Sequence, residues 1–122
     1  MTKNKNYIGI DISKLTFDVA ILDEKGKYKH YRFRNDLDGF EKLSQLLNHE
    51  SDICVMEASG VYYLKLATYL FNINVSVCVI NPLVIRRFSQ MRMIRAKTDK
   101  KDAAVIADYG KTETPDLWEP EE

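Results

Sequence analysis

Four acidic residues occupy positions from which their carboxylates could act together. Asp11 interrupts the first apolar run of the chain, YIGIDIS, and Glu57 lies near the end of a later one, CVMEASG. Asp99 and Asp102 are three residues apart in RAKTDKKDA, a spacing that places both on one face of a helix. Oxygen ligands without a nearby histidine or cysteine suit Mg²⁺ or Mn²⁺. Two such ions about 4 Å apart can activate a nucleophile and stabilise a leaving oxygen at a phosphodiester.

Each of these acids also has a purely structural explanation. Asp99 could cap a helix, and Asp102 could favour the N-terminal dipole of that helix. Glu57 could pair with a buried arginine, and Asp11 could accept backbone hydrogen bonds in a turn. Asp11 points to a function more strongly than the other acids do, because an unpaired charge inside an apolar strand costs on the order of several kcal/mol. Any one signal is weak, whereas acids on two neighbouring strands and on the last helix form a more specific set.

Charge is unevenly distributed along the chain, although the formal net charge is zero. The segment from 113 onward is acidic, while the segment from 86 to 101 contains seven basic residues and one acid. A basic segment is typical of a solvated helix face or of a surface for an anionic partner. Because it flanks Asp99 and Asp102, it would suit a phosphate backbone. Its basic residues are Arg86, Arg87, Arg92, Arg95, Lys97, Lys100 and Lys101.

Composition indicates one soluble domain of a reducing compartment. The 122 residues are 45% hydrophobic and 30% charged, enough for a single core. No apolar run approaches the roughly 18 residues that a membrane span needs, and the start, MTKNKN, is unlike a signal peptide. Cys54 and Cys78 lie in apolar runs and indicate buried thiols. Because His30 and His49 are far apart and no CxxC pair exists, a zinc site is not expected. These features predict a cytoplasmic protein.

Alternation and helical spacing predict three strands, a helix, a strand, a helix, a strand and two further helices. Lys25-Gly26-Lys27 predicts a hairpin turn between the second and third strands. Gly110 is predicted to lie just past the end of the last helix, and Trp118 is expected to pack on the domain. The predicted strands are 7–13, 16–24, 28–35, 52–60 and 74–82, and the predicted helices begin at 35–36 and cover 61–71, 83–91 and 98–111.

This order of elements predicts an α/β fold with a mixed five-stranded sheet in the order 3-2-1-4-5, flanked by helices on both faces. Asp11 would then lie on the central strand and Glu57 at the end of the adjacent one. Ligands of open α/β sheets collect at the carboxyl ends of strands. A last helix packed over the sheet would bring Asp99 and Asp102 to the same place.

The segments GIDISKLTFDVAI, MEASGVYY, INP and IRAKTDKKDAAVIADYG resemble the amino-terminal domain of the DEDD transposases. This family of insertion-sequence transposases and site-specific DNA recombinases includes the Piv DNA invertase. The resemblance runs from Tyr7 to about Pro120; KTDxxDA after MExxGxY is its specific part, and GIDIS alone is weak. It implies a ribonuclease-H-like, RuvC-like fold and metal-dependent DNA strand cleavage and transfer. By resemblance, the acids that hold two Mg²⁺ or Mn²⁺ ions map onto Asp11, Glu57, Asp99 and Asp102.

The resemblance also predicts domain organisation and partners. Residues 1–112 would form the RuvC-like catalytic domain, and 113–122 an acidic tail leading towards an absent carboxy-terminal domain. In the family that second domain carries a serine implicated in strand cleavage, so we expect the isolated domain to be inactive or weakly active. The implied partner is DNA. Some members are guided by a structured RNA, which the sequence leaves open here, and a homo-oligomer is expected of the full-length protein.

The sequence is also compatible with three other hypotheses about function. GIDIS resembles the first phosphate loop of sugar kinases and actin-like ATPases, but no second phosphate loop or adenosine loop is visible. A standalone RuvC-like nuclease would cleave branched DNA without a further domain. A non-catalytic module would bind only RNA or a partner protein.

Overall fold

The computed structural model describes residues 6–92 and 99–121, and the side chains of 99–101 lie outside that description. Within these ranges the chain forms five strands and four helices. None of the described helices is both long enough and apolar enough to cross a membrane. The strands are β1 (Asn6–Ile12), β2 (Thr16–Leu22), β3 (Tyr28–Arg34), β4 (Asp52–Glu57) and β5 (Ser76–Ile80), and the helices are α1 (Leu37–Leu46), α2 (Leu64–Asn72), α3 (Pro82–Met91) and α4 (Asp99–Glu113).

The strands form one mixed sheet in the order β3-β2-β1-β4-β5, so the predicted order is confirmed. β1 is antiparallel to β2 and parallel to β4, which places it at the centre. The turn between β2 and β3 is the predicted hairpin. Asp23 Oδ1 accepts the backbone N–H groups of Lys25 and Lys27, each at 2.9 Å, and Gly26 has a positive φ of 82°. Glycine adopts that left-handed conformation without steric cost.

One face of the sheet packs against α1 and α2. Strand alternation puts Ile8 and Ile10 of β1 on this face, and both are almost fully buried. Phe17 of β2 is 0% exposed, and its ring centroid lies 5.6 Å from that of Phe33 and 6.1 Å from that of Phe40. Side chains of two strands and one helix therefore close the larger of the two cores.

The other face packs against α3 and α4, and here two glycines set how close α4 comes. A Cβ on Gly9 would lie 1.8 Å from the carbonyl oxygen of Ala103, and a Cβ on Gly110 would lie 2.6 Å from Val55 Cγ2. A Cβ at Gly9 would therefore force the backbone of α4 away from the sheet, and a Cβ at Gly110 would force the side chains of Val55 and Tyr7 to shift. The prediction that Gly110 follows the end of the helix was wrong, because α4 continues to Glu113 and uses this glycine to pack on the sheet.

The segment after α4 packs against the edge strand β5. The backbone N–H of Trp118 donates to Val77 O at 2.7 Å, and the Trp118 ring meets the Phe71 ring edge-on at 6.4 Å. Cys78 Sγ donates to Pro115 O at 3.6 Å. Trp118 therefore packs on the domain as expected. The division into a domain and a tail at residue 112 stays a prediction.

Candidate metal and nucleic-acid site

Asp11 and Glu57 lie side by side at the carboxyl ends of the two central parallel strands. Ile10 on β1 pairs with Met56 on β4, so the next step of the register sets Asp11 level with Glu57. Side chains alternate along a strand, and both acids therefore project on the face that α3 and α4 cover. Both residues are half-buried. The tertiary structure thus brings together the two sheet acids that the sequence singled out.

Negative charge is concentrated around Glu57. Burial raises the pKa of the Glu57 carboxyl, and the charge of Asp102 raises it further. Two groups oppose this rise in pKa: Ser59 Oγ, which donates to Glu57 Oε2 at 3.3 Å, and the positive charge of Arg86. Carboxylates that disfavour each other's ionisation favour a bound proton or a bound cation between them.

The direction of α4 over the sheet explains why Asp102 acts on Glu57. Gly110 lies against the start of β1, while Ala103 lies against Gly9 further along the same strand. The helix therefore runs antiparallel to β1, and its first turn points to the strand end that carries the acid. Asp102 stands in this turn and is half-buried. Asp99 is the first residue of α4, and its side chain lies outside the described residues.

The described acids do not by themselves form a complete metal cage. Among the residues whose side chains the structure describes, no group of three or more His, Cys, Asp or Glu side chains is arranged to hold a metal ion. The donors nevertheless fit a hard divalent cation in their chemistry, because Asp11, Glu57 and Asp102 offer only carboxylate oxygens. Asp99 would have to complete the set from the same turn as Asp102.

Asn35 joins the two loops that follow the sheet acids. Its Nδ2 donates to Ser13 O at 3.0 Å and to Tyr62 O at 3.1 Å. Ser13 follows the strand of Asp11, and Tyr62 follows the strand of Glu57. The sequence predicts Asn35 only as part of a helix start, and the helix is capped by Asp36, whose Oδ1 accepts the N–H of Gly39 at 3.0 Å. No local signal predicts this link, because it joins three separate segments.

Asp18 is a further acid on the same face that the sequence reasoning passed over. It pairs with Asp11 across β1 and β2, and with Arg32 across β2 and β3. The hairpin turn at Lys25-Gly26-Lys27 could have identified the second pair, because residues equally distant from a turn face each other across a hairpin.

The predicted basic residues fall into three groups. Arg86 is exposed on α3, and its charge lowers the pKa of Glu57, so it lies on the side of the carboxylates. Arg87 is exposed on the same helix. Arg92 pairs with Asp108 at 3.2 Å and lies over the Phe88 ring at 5.2 Å, which joins the end of α3 to α4. The other four lie outside the described part of the chain. Arg95 and Lys97 are not described at all, and the side chains of Lys100 and Lys101 are not described.

Residues 8–120 match a protein family described as transposase, of the DEDD type named for IS110. Over 122 aligned residues the chain is 37% identical to the pilin gene-inverting proteins of Moraxella lacunata and Moraxella bovis. The alignment covers 96% of this chain and 38% of each relative, so the chain spans well under half of their length. The structure is similar to that of Thermus thermophilus RuvC, with a TM-score of 0.54, 13% identity, and coverage of 92% of this chain and 99% of that one. The predicted ribonuclease-H-like, RuvC-like fold is thereby confirmed.

Proposed function

The chain belongs to the DEDD transposase family of the IS110 type, and from this premise we propose that it is the catalytic domain of a metal-dependent DNA transposase or recombinase. One observation carries the proposal: Asp11 and Glu57 stand level on neighbouring strands, and the charge of Asp102 reaches Glu57. The names of the relatives support it, since inverting a gene requires that DNA strands be cut and rejoined.

In this proposal both the sheet and the last helix contribute ligands to the metal site. Asp11 and Glu57 would bind from β1 and β4, and Asp99 and Asp102 from the first turn of α4. When bound, one or two Mg²⁺ or Mn²⁺ ions would supply Lewis-acid polarisation of the scissile phosphodiester. Ser59 would keep Glu57 oriented through its hydrogen bond at 3.3 Å. The half-buried setting of the acids would restrict the access of water to a bound phosphodiester.

DNA is the partner that we propose for this domain. The basic residues from 86 to 101 would contact the phosphate backbone, with Arg86 placed on the side of the carboxylates. Residues 1–112 would form the catalytic domain, and 113–122 would lead to the part that the longer relatives possess. We propose that this further part supplies the serine for strand cleavage. A guide RNA and a homo-oligomer would be properties of the full-length protein.

Mn²⁺ titration by calorimetry tests the site directly. The comparison includes the unsubstituted chain, Asp11→Ala, Asp102→Ala and the control Asp38→Ala. Asp38 is an exposed acid of α1, which packs on the opposite face of the sheet, and it pairs with Lys42 at 3.1 Å. We expect binding in the unsubstituted chain and in the control, and a loss of binding in both site variants. Removal of a ligand should weaken affinity by more than the roughly 10–100-fold that loss of an outer partner costs.

Nicking of supercoiled plasmid in Mg²⁺ or Mn²⁺ supplies the functional measurement. Weak metal-dependent nicking that disappears in Asp11→Ala and Asp102→Ala, but persists in Asp38→Ala, would support the proposal. Mn²⁺ affinity unchanged by either site substitution would contradict it, because the strand and helix acids would then not share a metal site.

A nuclease that acts on branched DNA without any further domain is the alternative. It rests on the likeness of fold to RuvC, whereas the family match and the relatives favour the transposase. A branched oligonucleotide in the same assay separates the two, since a resolvase would prefer it to a linear duplex.

A further inference from the structure

A row of three charged side chains crosses the sheet beside the carboxylate site. Asp11 on β1 is paired with Asp18 on β2, and Asp18 is paired in turn with Arg32 on β3. Residues directly opposite each other in an antiparallel pair project on the same face of the sheet. The row therefore lies on the face of α3 and α4. Asp11 forms its inner end, and Arg32, on the edge strand, forms its outer end.

Asp18 and Arg32 form a two-point ion pair. Arg32 donates from Nε to Asp18 Oδ1 at 2.7 Å and from Nη2 to Oδ2 at 3.2 Å. Two such bonds fix the plane of the guanidinium as well as its position. Asp18 is only 7% exposed, whereas the side chain of Arg32 is 59% exposed. A buried carboxylate thus holds an exposed cation in a defined orientation.

Asp18 lies between a like charge on β1 and an opposite charge on β3. Asp11 and Asp18 are directly opposite each other, and like charges in that position destabilise a sheet. The two bonds from Arg32 compensate the buried carboxylate of Asp18, while most of the Arg32 side chain stays exposed to solvent. Both oxygens of Asp18 accept hydrogen bonds from Arg32, so Asp18 is engaged with the cation rather than directed to the metal acids.

On the basis of the proposed function, we propose that Arg32 binds a phosphate of the nucleic-acid backbone next to the carboxylate site, and that Asp18 is the positioning residue that holds Arg32 there. A planar guanidinium matches two phosphate oxygens at once. The edge strand favours this contact further, because the sequence of β3, YKHYRFR, contains no acid. His30 and Arg34 share the face of Arg32, since they lie two residues to either side of it.

The salt dependence of DNA binding tests this contact. Fluorescence anisotropy with a labelled duplex oligonucleotide, at constant Mg²⁺ and several KCl concentrations, gives the slope of log affinity against log salt. Each phosphate contact contributes about 0.9 to that slope, so Arg32→Gln should lower it by about 1. Lys29→Gln is the matched control, because Lys29 is exposed on the opposite face of the same strand and should leave the slope unchanged.

Two more variants separate the charge of Arg32 from its orientation. Arg32→Lys should keep the slope, since the charge remains, and should bind more weakly than the unsubstituted chain, because the fork of donors is lost. Asp18→Asn should also keep the slope and weaken binding, because the guanidinium loses its anchor. Asp18→Asn that binds like the unsubstituted chain would overturn the positioning role.

Mn²⁺ titration of Arg32→Gln completes the test. Retained Mn²⁺ binding with a lower salt slope supports a phosphate contact. An unchanged slope overturns the inference, and so does a loss of Mn²⁺ binding, which would mean that the substitution disrupts the site. Absence of DNA binding by the unsubstituted chain at the lowest salt also overturns it. Failure of the proposed function is a separate result, because it is read from Mn²⁺ binding by Asp11→Ala and not from any variant of Arg32.

Discussion

The two faces of the central sheet are built on different principles, although the same strands supply both. On the face of α1 and α2, strand β1 presents Ile8, Ile10 and Ile12, all buried. On the face of α3 and α4 the same strand presents Gly9, which admits the backbone of α4, and then Asp11. One face is a continuous apolar core, and the other combines a smaller apolar core and a close helix contact with a group of acids.

This difference shows on which face the domain can hold carboxylates that repel one another. Asp11, Glu57 and Asp102 lie on one side of the sheet only. Burial of apolar side chains on the other side can offset the cost of holding these carboxylates near one another. We therefore expect substitutions on the α1/α2 face to change stability without changing metal binding, and substitutions near the acids on the α3/α4 face to change metal or DNA binding as well.

The largest change in stability should come from Phe17→Ala on the α1/α2 face. Phe17 is 0% exposed and packs on two other rings, so its removal should lower the free energy of unfolding by about 3–5 kcal/mol. Urea denaturation measures this change. Leu15→Ala is the control, because Leu15 is 73% exposed and should shift stability by no more than about 0.5 kcal/mol. Equal effects of the two variants would contradict the assignment of the main core.

A smaller loss of stability, with a second consequence, is expected of Gly9→Ala. The new Cβ would collide with the backbone of Ala103, so α4 must shift, at a cost of about 1–3 kcal/mol or more. Because α4 carries Asp102, Mn²⁺ affinity should fall as well. Ile10→Val on the opposite face should cost about 0.5–1.5 kcal/mol and leave Mn²⁺ affinity unchanged. If both variants keep full Mn²⁺ affinity, the position of α4 does not control the site.

A gain in stability is expected of Glu57→Gln when metal is removed with EDTA. The pKa of Glu57 is raised in the folded protein, chiefly by burial, so the charged form is disfavoured there. This penalty is absent below the unfolded pKa, grows as pH rises towards the folded pKa, and is complete above it. Thermal unfolding at neutral pH should therefore show a higher midpoint for Glu57→Gln, and the difference should vanish in acid. Glu41→Gln, at an exposed position of α1, should show neither effect.

The smallest effect concerns the two thiols, one on each face. Burial raises the pKa of Cys78 to about 11, with help from Asp116, and burial raises the pKa of Cys54 further. Neither thiol should react with iodoacetamide at neutral pH, because the thiolate fraction is minute. In mild denaturant Cys78 should react first, since it lies under the segment of Pro115. Single-cysteine variants, Cys54→Ser and Cys78→Ser, measure the two rates, and the reverse order would mean that the α1/α2 face opens first.

The sequence predicts much of this fold because its signals are local. Alternation located the first three strands, short apolar runs located β4 and β5, and the hairpin turn around Gly26 fixed the pairing of β2 with β3. The order 3-2-1-4-5 follows from the succession of elements and from the right-handedness of crossovers. The same order predicts that Asp11 lies beside Glu57.

Contacts between segments distant in sequence were harder to predict. Gly110 has the local pattern of a helix end, and only the approach of α4 to β1 and β4 explains why it lies within the helix. Asp18 is part of an ordinary alternating strand, and only its cross-strand neighbours give it an acid on one side and Arg32 on the other.

The sequence by itself determined the secondary-structure elements, their order and the candidate metal-binding acids, because periodicity and turn chemistry act over a few residues. The tertiary structure decided which of these acids share a face, how near α4 comes to them and which arginine stands beside them. Those results depend on strand register and on two glycines that let α4 approach the sheet. Both features bring together residues that are far apart in the sequence.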